Sequence, residues 1–246
     1  MRLTRVHVDA ALAPGAEIDL PEAAAAHLSR VLRLQSGDAC VLFNGDGSDY
    51  AASIVASGKR AVRVRIGGSA QVSRESPLRI VLLQGVARGE KMDLILQKAT
   101  ELGVAQVRPL LSQRSEVKLD AERAARRLVH WRQVVVAACE QSGRAVVPEV
   151  LAPVALSVAL RDLAEGHLRL ILDPAGTLGF ASIGERLQDR TLVLAVGPEG
   201  GWSPLDREQL LAAGFLGLRL GPRILRTETA ALAAISALQA QFGDFV

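Results

Sequence analysis

A chain of 246 residues, 49% hydrophobic and 22% charged, can bury either one large core or a large domain beside a small one, and it is too apolar for a disordered tail. Its longest apolar runs, such as Val134 to Ala138 and Ala230 to Ile235, fall far short of the roughly 20 residues that a membrane span requires, so no membrane partner is expected. Cys40 and Cys139 lie outside any CxxC or Cys/His cluster, which argues against a disulfide scaffold and against a metal site.

The first residues lead into an alternating pattern without an apolar leader, so a cytoplasmic protein is expected. The formal charge is +3, and 25 of the 29 basic residues are arginine, the side chain suited to bidentate phosphate contacts. Residues 1–72 carry eight basic and seven acidic side chains, residues 73–150 thirteen and nine, and residues 151–246 eight and ten. The basic excess therefore sits in the middle third, as on a nucleic-acid surface.

In chain order, a helix is predicted over Glu22–Leu34, after Pro21 at a first-turn position. Strands follow at Asp38–Phe43, Tyr50–Val55 and Ala61–Ile66, separated by hairpin-type turns at Asn44-Gly45-Asp46-Gly47 and Ser57-Gly58. A small β-barrel with one helix is the packing this implies. The run from Gly67-Gly68-Ser69 to Ser76-Pro77 is small, polar and aperiodic, and reads as a linker. Two domains are therefore predicted, residues 1–72 and 73–246.

Beyond the linker, strands are predicted at Arg79–Gln84, Ala105–Leu110, Leu168–Leu172, Thr191–Val196 and Leu216–Leu220. Helices are predicted at Glu90–Leu102, Ala121–Gln141, Leu156–Leu163, Ser182–Leu187, Pro204–Ala213 and Thr227–Gln241. Near-continuous apolar strands alternating with helices indicate an α/β domain with a parallel sheet covered on both faces.

Three glycine-bearing loops end strands of this domain: Asp173-Pro174-Ala175-Gly176, Gly197-Pro198-Glu199-Gly200-Gly201 and Gly221-Pro222-Arg223. Ligands of open α/β sheets bind beyond the carboxyl ends of the strands, where glycine lets a ligand approach the backbone. Ser203 and Thr227 are the expected N-caps of the helices that follow the second and third loops. Neither nucleotide fingerprint is met. Gly85 to Met92 lacks the Walker spacing and hydroxyl, and Gly45-Asp-Gly47 continues to Tyr50 where the dinucleotide pattern needs glycine. A ligand held by backbone and apolar groups, without a pyrophosphate, suits S-adenosylmethionine better than NAD or ATP.

Five runs, Gln84 to Asp93, Gln97 to Val104, Glu140 to Arg144, Gly197 to Gly201 and Leu220 to Ala230, together with Arg5, His27 to Arg33 and Gly37-Asp38, resemble the signature segments of the RsmE family, the 16S rRNA (uracil-N3)-methyltransferases. The similarity spans nearly the whole chain. It implies a PUA-like RNA-binding barrel followed by a trefoil-knotted SPOUT methyltransferase domain, working as a homodimer on 16S rRNA of the small ribosomal subunit. The helix Ala230 to Leu238, apolar on nearly all sides, suits such a dimer, with burial inside one domain as the alternative.

The resemblance further implies that Leu172, Gly197, Gly200, Leu220, Gly221, Ile224 and Leu225 line the S-adenosylmethionine pocket. Uracil N3 becomes nucleophilic only when its proton leaves. Glu199 and Glu228 are the candidate proton acceptors, and Arg226 the candidate stabiliser of negative charge on the uracil oxygens. Each also has a structural reading, Glu228 as a first-turn acid and Arg226 as a surface ion pair. Arg5, Arg30 and Arg33 of the first domain and Arg88, Lys91, Arg114 and Arg144 of the second are the candidate RNA contacts, against solvated surface charge. Other readings are a SPOUT enzyme acting on a ribose 2′-oxygen or a different base of rRNA or tRNA, and a non-catalytic RNA-binding or ribosome-assembly factor.

Overall fold

The computed structural model describes residues 3–58, 61–187 and 191–245, with the side chains of Arg30 and Val31 outside the description. Two compact units emerge. The first is Met1–Glu75 with Val136–Val147, and the second is Ser76–Val135 with Pro148–Val246.

In the first unit, β1 (Arg5–His7), β2 (Glu17–Asp19), β3 (Ala39–Phe43), β4 (Ser48–Ser57) and β5 (Val62–Gln71) form one sheet in the order β1-β3-β4-β5-β2. Along β5, Val62, Val64 and Ile66 are buried while Arg63 and Arg65 face outward. This alternation sets the register, because a one-residue slip would turn the apolar set to solvent. The outward arginines pair across to Asp19 and Glu17 of β2, directly opposite in the ladder.

Three features depart from the sequence reading. Helix α1 covers only Glu22–Ala26 and passes into a π-helical turn at His27–Val31. Arg33 then takes a left-handed backbone, φ 56°, which no regular helix admits. The expected linker is in part strand, for β5 runs on through Gly67 and Gly68 to Gln71, pairing with Ser48 to Ala51 of β4. The partner strand supplies the ladder there, and local composition does not reveal it. Finally, Val136–Val147, placed in the second domain by sequence, belongs to the first compact unit.

In the second unit, β6 (Arg79–Gly85), β7 (Gln106–Leu111), β8 (Glu149–Val150), β10 (Leu168–Leu172), β11 (Thr191–Val196) and β12 (Leu216–Leu218) form a parallel sheet in the order β12-β10-β11-β6-β7-β8, with β9 (Val154–Ala155) on β7. The helices are α2 (Glu90–Glu101), α3 (Ala121–Ser142, of which the part from Val136 on belongs to the first unit), α4 (Leu156–Arg161), α5 (Pro204–Ala212) and α6 (Thr227–Phe242). All six residues of β11 are buried. Val193 and Ala195 join Leu156 of α4 and Leu210 of α5 in one cluster, and the strand alternation turns Leu192 and Leu194 to the other face, where α6 packs on β11 and against α2.

The predicted helix over Ser182–Leu187 is two short 3-10 turns, Phe180–Ser182 and Gly184–Arg186. Strand β12 stops at Leu218, two residues short of the predicted end, and Leu218 also forms a parallel bridge with Leu178, in which Arg219 donates its N–H to the Leu178 carbonyl at 3.1 Å. Ser203 does cap α5, accepting from the Asp206 N–H at 3.0 Å while Asp206 accepts from the Ser203 N–H. Thr227 is not the cap of α6. Arg226 holds that position, and Thr227 is the first helical residue.

Candidate active site

The carboxyl ends of β10, β11 and β12 open into a cavity of about 370 Å³ whose walls include Leu172, Asp173, Val196 to Glu199, Trp202, Leu218, Leu220, Gly221, Arg223 to Thr227 and Ala230, with Lys91 from α2. The volume is that of a small-molecule site, and the mixture of apolar walls with a few polar atoms is typical of one. Its position follows from topology, since consecutive parallel strands deliver their carboxyl-end loops to one edge of the sheet.

Two close approaches shape the cavity. A Cβ on Gly85, at the end of β6, would lie 2.5 Å from the Pro198 nitrogen and ring, so only glycine lets the Gly197-Pro198 turn pass over β6. Gly221 takes φ 119°, and its left-handed backbone swings the chain from Leu220 into the Arg223 to Arg226 segment.

A hydrogen-bonded chain ties three segments together. Gln84, fully buried, donates through Nε2 to Thr227 Oγ1 at 3.0 Å, and Thr227 Oγ1 donates to the Gly197 carbonyl at 2.6 Å. The end of β6, the Gly197 loop and the start of α6 are thereby fixed to one another.

Of the predicted cofactor residues, Leu172, Gly197, Leu220, Gly221, Ile224 and Leu225 lie in the wall, and Ile224 is 78% exposed, an apolar side chain held in the open. Gly200 does not line the cavity. It sits behind the loop, where a Cβ would come within 3.0 Å of Arg114 and where Arg114 Nη1 donates to the Gly200 carbonyl at 3.2 Å. Sequence reasoning does not place Asp173, Trp202, Arg223, Thr227 or Ala230 among the cofactor residues, although all of them line the cavity. The glycine loops that precede or contain them are the signal that would have reached them.

Among the proposed catalytic residues, Glu199 and Arg226 line the cavity and Glu228 does not. Glu199 Oε1 accepts from the Arg88 N–H at 3.0 Å and lies 3.5 Å from Lys91 Nζ. Burial pushes the Glu199 carboxyl up, but the Arg88 and Glu199 N–H groups and the Lys91 charge outweigh it and hold the group below the usual glutamate range. Its Oε2 is buried without a partner, as is Trp202 Nε1. Two unmet polar atoms in a mainly apolar wall fit a ligand that brings both a donor and an acceptor. Asp173 accepts from Arg207 Nε at 2.6 Å and from the Ala175 N–H at 2.9 Å, so its carboxylate is braced at the wall.

The candidate RNA contacts separate by burial. Arg5 is 8% exposed; it donates to the Cys139 carbonyl at 3.1 Å and to Asp49 at 2.5 Å, and lies 4.6 Å over the Phe43 ring. Arg144 is 3% exposed and bonded to Glu75. Both arginines are internal ties of the first unit and correct the reading of them as phosphate contacts. Arg33, Arg88 and Arg114 are exposed, Lys91 stands at the cavity, and the Arg30 side chain lies outside the described residues.

A parallel α/β domain with a ligand cavity at its strand ends thus follows a small β-rich unit, and family models assign both parts to the class of two-domain RNA methyltransferases. The RNA methyltransferase domain model matches residues 74–239, and the RNA methyltransferase PUA domain model matches residues 20–67. Ribosomal RNA small subunit methyltransferase E of Buchnera aphidicola is 31% identical over 243 residues, 99% of this chain and 98% of that one. The crystal structure of the Neisseria gonorrhoeae protein of the same name, bound to S-adenosyl methionine, is 39% identical and superposes with a TM-score of 0.94 over 100% of both chains. A Legionella pneumophila methyltransferase structure with bound cofactor SAM is 42% identical, with a TM-score of 0.95 over 99% of this chain and 100% of that one. The chain belongs to the ribosomal RNA small subunit methyltransferase E family, with a SPOUT methyltransferase fold and a PUA-like N-terminal domain.

Proposed function

We propose that this protein transfers the methyl group of S-adenosylmethionine to N3 of a specific uridine in 16S rRNA of the small ribosomal subunit. The observation that carries the reading is the cavity at the ends of β10 to β12, in which an ionised glutamate and an arginine stand at the edge of an apolar pocket. Bound there, S-adenosylmethionine supplies an already activated methyl electrophile. Leu172, Gly197, Leu220, Gly221, Ile224 and Leu225 hold it, and the residues of the chain chiefly provide alignment.

The chain's own chemistry concerns the N3 proton. Glu199, kept ionised, accepts that proton, with its carboxylate held in place by the Arg88 N–H and Lys91. Arg226 faces the charge that builds on the uracil oxygens. Glu228, outside the cavity wall, takes the lesser part. A paired base hides N3, so the target uridine is unpaired or flipped out. Residues 1–72 serve as the RNA-binding domain and residues 73–246 as the methyltransferase domain, with Arg33, Arg88, Lys91 and Arg114 as phosphate contacts.

A trefoil knot in the segment that carries the Gly197 and Gly221 loops, a cytoplasmic setting and a homodimer belong to the same reading. For the dimer the support is α6, which buries Ala231, Ala234, Ile235 and Leu238 yet leaves Ala233 and Ala240 exposed and Leu232 half-buried. The test is transfer of labelled methyl to small subunits lacking the modification, with the product nucleoside identified by mass spectrometry. A 3-methyluridine product is expected. A ribose-methylated or different base would move the protein to another SPOUT activity, and no transfer with no S-adenosylmethionine binding would make it a non-catalytic RNA-binding factor.

A further inference from the structure

The second unit carries another concavity, lined by other residues than the cavity at the strand ends, with a volume of about 530 Å³. Its floor is the half-buried pair Val117 and Leu119, and its rim is Lys118, Arg123, Arg126, Arg127 and His130, all exposed. The four rim residues on α3 fall at spacings of three, four and seven, so they share one helix face. From Ala121 to His130 the helix has no fully buried residue, and core packing does not account for this stripe.

Three of the rim residues have acidic neighbours. Arg123 lies 3.4 Å from Asp120, Arg126 2.8 Å from Glu122, and His130 2.7 Å from Asp93. The Arg123 and Arg126 pairs are more than 60% exposed on both sides, and such ion pairs exchange readily for a stronger anion. Lys118 and Arg127 have no carboxylate within 4.0 Å among the described residues. Like charges gathered over an apolar floor repel one another until an anion with an apolar body joins them.

The groove is next to the cavity through α2. Lys91 lines the cavity, and Asp93, two residues on, holds His130 of the groove. Arg88, whose N–H holds Glu199, pairs through its side chain with Glu116, the neighbour of Val117. Two residues of α2 therefore link a side chain of the cavity wall to one that holds the groove.

We infer that the groove formed by Lys118, Arg123, Arg126, Arg127 and His130 holds the ribose-phosphate backbone of the RNA strand whose base enters the cavity. The inference rests on the RNA-methyltransferase reading and adds a surface to it. Phosphates displace the acidic neighbours of the arginines, and the sugar edges rest on Val117 and Leu119. Contacts of this kind position the strand and carry no base specificity.

The test is a salt titration of binding to purified 16S rRNA, with methyl-transfer kinetics, for the wild type and the triple variant Lys118→Gln/Arg123→Gln/Arg127→Gln. In the variant the slope of log affinity against log salt is expected to become shallower by about 2, from three lost phosphate contacts at roughly 0.7 to 0.9 each. KM for RNA rises at least tenfold, while kcat and the S-adenosylmethionine Kd stay at wild-type values. The opposite variant, Asp120→Asn/Glu122→Gln, frees two arginines and is expected to bind RNA more tightly. A triple variant with the wild-type slope and KM would overturn the groove assignment alone. A wild type with no salt-dependent RNA binding would overturn it together with the reading on which it rests.

Discussion

Thr227 Oγ1 lies 2.6 Å from the Gly197 carbonyl and accepts the Gln84 amide at 3.0 Å, so one hydroxyl joins two loops of the cavity to the end of β6. Thr227→Val keeps the shape and removes both bonds. Gln84 Nε2 then keeps only the Gly85 carbonyl at 2.9 Å, and the part-buried Gly197 carbonyl loses this donor, at a cost of about 1–3 kcal/mol. S-adenosylmethionine affinity is expected to fall roughly tenfold or more by calorimetry, with Thr227→Ser close to wild type. A valine variant with unchanged affinity would mean that the loops hold without this tie.

Gly85→Ala puts a methyl group 2.5 Å from Pro198, and neither the ring nor the backbone beneath it can yield cheaply. The Gly197-Pro198 turn must move. Loss of S-adenosylmethionine binding is expected to exceed the loss in thermal stability. Gly179→Ala, where the added methyl meets nothing within 4 Å, is the control and is expected to behave as wild type.

Glu199→Gln and Arg226→Ala separate proton transfer from binding. Each is expected to lower kcat by about 10² or more, with the S-adenosylmethionine Kd within a fewfold of wild type. Glu228→Gln, at a residue outside the cavity wall, is expected to cost less. Because the Glu199 carboxyl is held below its ordinary value of 4.5, it stays ionised near neutrality, and a fall in rate just below neutral pH would assign the proton acceptor elsewhere.

Stability should fall on mild acidification through His7. The ring is half-buried and 5.3 Å from Phe43, and burial holds its pKa below the ordinary 6.5, against the opposing pull of Asp9 and Glu140. The unfolded chain therefore binds the proton more readily. Its contribution is complete above about pH 6.5 and is lost as pH falls toward the lowered folded value. Thermal melts are expected to show this slope in the wild type and a smaller one in His7→Gln.

Both thiols should resist modification in the folded protein. Burial pushes Cys40 up to about 11 and Cys139 up to about 12, so the reactive thiolate is scarce and access is closed. Native protein is expected to react with a thiol reagent only at the rate of unfolding, and denatured protein at once. Rapid labelling of either cysteine would indicate local opening around it.

What the sequence determined by itself is the content of short-range signals. The apolar runs of β6 and β11, the Ser203-Pro204 cap and the three glycine loops name their elements and the cofactor edge directly, because each depends on neighbours a few residues away. The tertiary structure decided the rest. Strand β5 continues through Gly67 and Gly68 because β4 lies beside it, although glycine-rich composition reads as linker. Arg5 and Arg144 look like surface cations in the sequence, but carbonyls and carboxylates far away in the chain draw them inside. Thr227 looks like a cap and instead donates 30 residues back, to Gly197. An arginine or a threonine carries the same hydrogen-bonding groups in either role, and only the fold settles which partners are near enough to meet them.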